Sequence, residues 1–518
     1  MNPNLRLVAS VFFCLSAMLR AGEEYPEIAK IENPAEYEVL TPKLTPAQFE
    51  AFVKRAEGGD PIAFDLCFHA SFNGLGTLTS HAKAREWIER GCKVGAPLCM
   101  LYRGRNLGGF SLDKSRHDDA TAQVLCEKGR VFFQPLAEKG NVFAMLAVSG
   151  ACAGLHDKKG SFEWARKGAL GGNAVAMATL SYYYGRGEGG EHDDVAAAEW
   201  SKRAAELGLA LGKNNYAVAL LHGQGVERDV NKAYKLYKEA AEQGEVLACS
   251  ALGSMYENGQ GVEANAEKSF QMYKIAAEEG LCPAIHHMGP AYTLGNGTPV
   301  DQALGFKWMQ KGAACGCSLG FANLALSHYW GFGTPKDWKL AAENFKRGAQ
   351  LGDEESAKWL GDIYRVGGNG IEINLPEAAK WYARGADDGS ADAQYQYAML
   401  LLTGTGVEKD VAAAANWLKR AASESVEAQN QMGICYRDGV GVAVDLAQAV
   451  TFFKLAADKQ NGPAMRNLSA LYRDGKGVPK DAARADKLAL DADDIARREG
   501  APDAKAVRPP SPPKAQDF

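Results

Sequence analysis

At 518 residues, with 46% hydrophobic content and 23% charged, the chain carries enough apolar side chains for several cores. Its formal net charge is -5 and its pI about 6.1, a mild acidity that excludes the clustered basic surface a nucleic-acid binder needs. Length alone suggests about three or four domains, but a long internal periodicity overrides that prior.

In chain order, Arg6 precedes an apolar run from Leu7 to Leu19, followed by Ala21 and the polar Gly22-Glu23-Glu24. This is the outline of a secretory signal over residues 1–21, so a periplasmic or secreted protein is expected. The run is short of the roughly 20 residues that span a bilayer, and no later stretch offers a better candidate, so no integral membrane span is expected. Residues 22–58 read as a polar lead and a capping helix that begins near Thr45-Pro46. Over 59–172 lie degenerate repeats. A first copy is visible in the spacing of Ala63, Gly74, Gly76 and Trp87, followed by one copy with an insertion near Phe110 to Thr121 and one with a shortened loop near Gly154 to Gly160.

From 173 to 490 the repeats are regular. Gly223, Gly259, Gly295, Gly331 and Gly367 are each 36 residues apart, and Gly404, Gly439 and Gly475 continue the series. Such a period means stacked supersecondary units around one continuous core. In the unit from Glu245 to Gly280, the residues Ala248, Leu252, Met255 and Tyr256 mark the apolar face of a first helix. That helix is expected to stop at Gly259, where glycine accepts the left-handed cap conformation. Six residues past the first glycine stand Asp229, Asn265, Asp301, Asp337, Asp410, Asp445 and Asp481, each suited to cap a second helix. The second helix brings Ala233, Ala341, Ala414, Ala449 and Ala485 at one offset, rings such as Trp308, Trp417 and Phe452 at another, and closing Ala-Ala pairs. Residues 491–518 are read as a helix end and a tail containing Arg508-Pro-Pro-Ser-Pro-Pro-Lys514, a composition typical of a disordered linker.

The Ala-x-x-x-Leu-Gly-x-x-Tyr lead (Ala248 to Tyr256), the Gly-x-Gly-Val loop, the Asp six residues on and the Lys-Ala-Ala close resemble the Sel-one-like repeat (SLR) family, relatives of tetratricopeptide repeats. The resemblance implies an all-α fold, a right-handed α-solenoid of about twelve helix-loop-helix repeats, nine of them regular. It implies a non-catalytic scaffold or adaptor for protein partners, with no cofactor and no metal. Cysteine-rich members of that family carry one disulfide per repeat between cysteines about eight apart. Here Cys92 and Cys99 come nearest to that spacing and form the possible bridge, while Cys249, Cys282, Cys315, Cys317 and Cys435 occupy unrelated repeat positions, as buried hydrophobic thiols would.

The same relatives imply the alternative function, a cell-wall ligand binder or weak β-lactamase or penicillin-binding protein. Ser111-Leu-Asp-Lys114 matches the Ser-x-x-Lys signature of such hydrolases, but it falls in an insertion and has no convincing Ser-Asp-Asn or Lys-Thr-Gly partner. Gly185-Arg-Gly187-Glu-Gly189-Gly190 has dinucleotide-loop spacing yet follows a helix instead of a strand. His286 and His287 are adjacent, so they point apart on a helix and do not form an i, i+4 metal pair.

What remains is surface. Solenoids of this type bind through a concave face lined by their first helices. By the Glu245–Gly280 template, that groove is expected to present Tyr183, Tyr184, His222, His286, Tyr329 and Trp330 in the middle repeats and Arg365, Arg437, Arg466 and Arg473 towards the C terminus. Exposed aromatics and arginines are the residue types that dominate interface energetics. An extended peptide or a helix of a protein partner is the expected occupant.

Overall fold

The computed structural model describes residues 44–73, 77, 80–107 and 119–498. Among them are 25 α-helices and no β-strand. The helix Pro46–Glu57 comes first, followed by twelve antiparallel helix pairs, from Pro61–Asn73 with His81–Lys93 to Gly462–Asp474 with Ala482–Arg498. Thr45 starts the first helix with a capping box, its hydroxyl accepting from Gln48 N while the Gln48 side chain accepts from Thr45 N. The chain forms two compact units, 1–316 and 317–518.

Each regular repeat is built by the same local chemistry. The helix Ala210–His222 ends where Gly223 takes φ +68°, and the helix Val426–Asp438 ends the same way at Gly439, φ +72°. The chain then returns so that the N–H of the next cap residue closes the loop on the first helix: Asp229 N donates to Leu220 O at 2.9 Å and Asp445 N to Tyr436 O at 2.9 Å. The side chain of the same residue accepts from the second helix, as Asp229 does from Lys232 N at 2.9 Å. One aspartate thereby fixes both ends of the turn. In the repeat that starts at Glu354 the loop is one residue longer, and Asn374, seven past Gly367, takes over both jobs.

The second glycine of the loop does a different job. Gly225 lies against the backbone of Asp194, and Gly441 against that of Val411, in each case at the start of the preceding repeat's second helix. A Cβ there would collide with a carbonyl, so this glycine permits one repeat to seat on the last.

A second close approach explains the glycine that follows a buried Leu or Met in several first helices. Gly253, Gly361 and Gly433 face the rings of Tyr273, Tyr382 and Phe453 from the second helix of the same repeat, with room for nothing larger. These rings lie one residue beyond the position expected to be aromatic, and Tyr382 and Phe453 have no exposed surface; of the expected rings, Trp308 is buried as well. The expected rings Trp417 and Phe452 are only half-buried and pack on Tyr397 and Tyr436 of their own repeats.

The cysteine expectations need correction. Cys92 and Cys99 are buried and not joined to each other; the Cys99 thiol instead lies 3.6 Å from the Trp87 carbonyl. The disulfide in the structure joins Cys282 and Cys315, with Cα atoms 6.1 Å apart and a sequence separation of 33. Cys282 opens the first helix of its repeat and Cys315 closes the second, so the bond ties the open end of one hairpin.

Candidate functional site

The first helices Ala210–His222, Val246–Asn258 and Cys282–Leu294 together line a pocket of about 260 Å³. Its floor includes Tyr237 and Tyr273 from the intervening second helices, and its polar lining includes Asn214, Ser250, Ser254 and Glu257. Tyr273 is the hinge of this arrangement. Its ring, seated against Gly253, stacks on His287 with centroids 3.9 Å apart and planes 6° from parallel, and its hydroxyl donates to Glu257 Oε2 at 3.0 Å. Burial, aided by the adjacent Glu257 carboxylate, pushes the Tyr273 phenol well up, so it stays a donor. Burial lowers both imidazoles of the pocket, His287 against the pull of Glu257 and His222 with help from Arg228.

Of the residues expected to face the groove, His222 lines this pocket. His286 does not; its imidazole is pushed down to about 4 by burial and by His287, against a hydrogen bond with the backbone of Gly312 on the neighbouring second helix. The two histidines do point apart, and His287, not among the residues expected in the groove, is the one presented to the pocket. Tyr273 was missed as well, since it lies on a second helix. Its signal is Gly253, whose missing side chain lets the ring through.

The other expected residues are held elsewhere. Tyr183 is buried, hydrogen-bonded to Ser161, and Tyr184 packs on Phe162 at 5.2 Å. Tyr329 is 2% exposed and stacks on Trp338 at 4.9 Å, so it is a core residue and its expected exposure does not hold. Trp330 is half-buried beside Tyr329 and Trp359. Arg365 donates to the Tyr382 hydroxyl at 2.9 Å and pairs with the buried Asp362 at 3.4 Å, which Lys358 also meets at 3.1 Å. Arg437 is bidentate to Asp438 at 2.7 Å and reaches Asn467 of the next repeat at 3.0 Å. Arg466 and Arg473 sit in exposed pairs with Asp493 and Asp486. These arginines are already used to bind one repeat to itself or to the next. Ser111 and Lys114 lie outside the described residues, as do residues 1–43, Gly74, Gly76 and 499–518. Among the described residues no cluster of three or more His, Cys, Asp or Glu side chains has metal-site geometry, and no helix is long and apolar enough to cross a membrane.

Ten segments match the Sel1 repeat: 63–95, 174–209, 210–245, 246–281, 282–317, 322–353, 355–390, 391–425, 426–461 and 462–485. The chain belongs to the Sel1 repeat family. Among solved structures it is similar to c5321, a protective antigen present in uropathogenic Escherichia coli strains that displays an SLR fold. The two are 25% identical over 87% of this chain and 90% of that one, with a TM-score of 0.51. It is also similar to a Sel1 repeat protein from Oxalobacter formigenes, 26% identical over 64% of this chain and 93% of that one, with a TM-score of 0.48. No curated protein matches it. The nine matches between 174 and 485 coincide with the regular helix pairs, and the tenth with the pair at Pro61–Lys93.

Proposed function

We propose that this Sel1 repeat protein is an exported, non-catalytic scaffold that holds a segment of a protein partner along the face formed by its first helices. Sel1 repeats typically mediate protein interactions. The observation that carries the reading is the pocket between three successive first helices, where hydroxyl, amide, imidazole and carboxylate groups converge beside an aromatic floor. Export rests on the signal-like residues 1–21 and on the likeness to an SLR protein described as a protective antigen. The domain plan proposed with it is a signal over 1–21, a lead and capping helix over 22–58, degenerate repeats over 59–172, the regular array over 173–490 and a terminal tail over 491–518.

Affinity capture from envelope extract, with the parent chain and Ser254→Trp side by side, tests this. Ser254 is half-buried in the pocket wall, so the indole fills the site without entering the core. The expected result is a stoichiometric protein partner held by the parent and lost from the variant at an unchanged melting temperature. A partner that binds both equally places binding elsewhere on the solenoid.

A further inference from the structure

The pocket between Ala210–His222 and Cys282–Leu294 has an unbalanced charge. Glu257 is the single carboxylate among its lining residues, and no lysine or arginine lines it. Both lining imidazoles are held towards the neutral form by burial. Arg228, whose charge acts on His222, donates to the Leu221 carbonyl at 3.0 Å and is not part of the lining. The remaining polar groups, Asn214, Ser250, Ser254, Gln260 and the Tyr237 hydroxyl, all offer oxygen acceptors.

Glu257 is exposed and already oriented. The Tyr273 hydroxyl occupies Oε2, and the stack of Tyr273 on His287 fixes where that hydroxyl stands. The carboxylate is therefore presented at the pocket mouth with Oε1 left to accept from a visitor. The volume, about 260 Å³, lies below the roughly 300–1,000 Å³ of sites that enclose a whole small-molecule ligand. It suits one long side chain.

We infer that this pocket is a subsite for a single cationic side chain, lysine or arginine, projecting from the partner segment, with Glu257 as its counter-charge. The inference rests on the scaffold reading above and gives the partner a chemical feature. Its aliphatic stem would lie along Val218, Leu221 and Met255 while its head group reaches Glu257 and the serine hydroxyls, dividing apolar and charged surface as such side chains do.

The test is selection of a random dodecapeptide phage library on the full chain, followed by fluorescence anisotropy of the consensus peptide. The expected consensus holds one invariant Lys or Arg. Replacing that residue by alanine, or making Glu257→Gln, should each weaken binding on the order of tenfold. The two changes together should cost no more than one alone, since they remove the same contact. Gln keeps an acceptor for Tyr273, and melting of Glu257→Gln should match the parent. A consensus without a fixed basic residue, yet lost with Ser254→Trp, overturns the cationic subsite and leaves the groove reading standing. A consensus indifferent to Ser254→Trp, or no enrichment over an unrelated protein, overturns the groove reading and with it the subsite.

Discussion

The helix pairs at 97–170 and those at 174–485 fold alike and are written differently. In the regular array, seven residues such as 223–229 join the two helices of a repeat, with a left-handed glycine, a close-approach glycine and an aspartate cap in fixed places. The pair Val142–Gly154 and Lys158–Leu170 is joined by three residues, and there the left-handed position is His156, φ 61°. Asp157 still caps the second helix, accepting from Gly160 N at 2.8 Å. Asp65 does a different job from the loop aspartates: fully buried on one repeat's first helix, it accepts from Leu98 N and Cys99 N at 2.9 and 2.8 Å, capping the first helix of the next. A helical solenoid thus needs apolar faces and satisfied helix ends, and more than one loop chemistry supplies the ends. Family resemblance follows the loops, which is why matches stop at 95 and resume at 174.

The strongest way to break this comparison is to put a side chain where two repeats meet. Gly441→Val, at φ +73° against the Val411 carbonyl and 3.0 Å from Ala415 Cβ, should cost about 4 kcal/mol. Gly140→Val, at φ +95° with open space around it, should cost only the conformational penalty of about 1 kcal/mol. Hydrogen exchange of Val411–Ala421 and of Val142–Gly154 reads the two separately. Equal losses would mean that the loop glycine serves conformation alone.

The buried cap comes next. Asp65→Ala strands two backbone N–H groups in the core and should cost about 3 kcal/mol, against about 1 kcal/mol for the exposed cap Asp229→Ala. Of similar size, Cys315→Ser opens a loop of 33 residues and should lower stability by about 3 kcal/mol, an effect that reductant should reproduce on the parent. Peptide mapping without reductant checks the assignment: a Cys282–Cys315 cross-link is expected, with Cys92 and Cys99 recovered as alkylated thiols.

The regular repeats were legible because period, loop glycines and cap aspartates are local signals, and nine Sel1 segments match between 174 and 485. The groove was only partly legible. Which face of Tyr329 or Arg365 meets solvent depends on how the two helices of the repeat pack: Trp338 of the paired helix covers the one, while Tyr382 of the paired helix and Asp362 one turn back take up the other. A template built on one unit treats the first-helix face as free. The stack then fills much of it, leaving space where small residues such as Ser250, Ala251 and Ser254 coincide. Cys282 with Cys315 was missed for the same reason, since their closeness comes from hairpin geometry and not from spacing along the chain.

An effect smaller than the losses at Gly441, Asp65 and Cys315 probes the first-helix caps, where the sequence shows no fixed residue type. Glu245 caps Val246–Asn258 by accepting from Leu247 N, yet it is 4% exposed, and burial raises its carboxyl to about 7 against that hydrogen bond. The folded state therefore holds this proton more tightly than the unfolded chain, whose carboxyl titrates near 4.3. Between about pH 4.3 and 7 the unfolded state binds fewer protons, so Glu245 makes stability fall as pH rises, and the penalty is complete above 7. Glu245→Gln keeps an oxygen for Leu247 and cannot ionise. It should leave stability unchanged at pH 4 and raise it by about 2 kcal/mol at pH 8. The buried His286, lowered to about 4, pulls the profile of both proteins the other way, weakening them as pH drops below 6.5, so the difference between variant and parent isolates Glu245. Denaturant melts at the two pH values decide it. A difference independent of pH would mean that Glu245 is ionised at both, and that the cap hydrogen bond outweighs the burial of its charge.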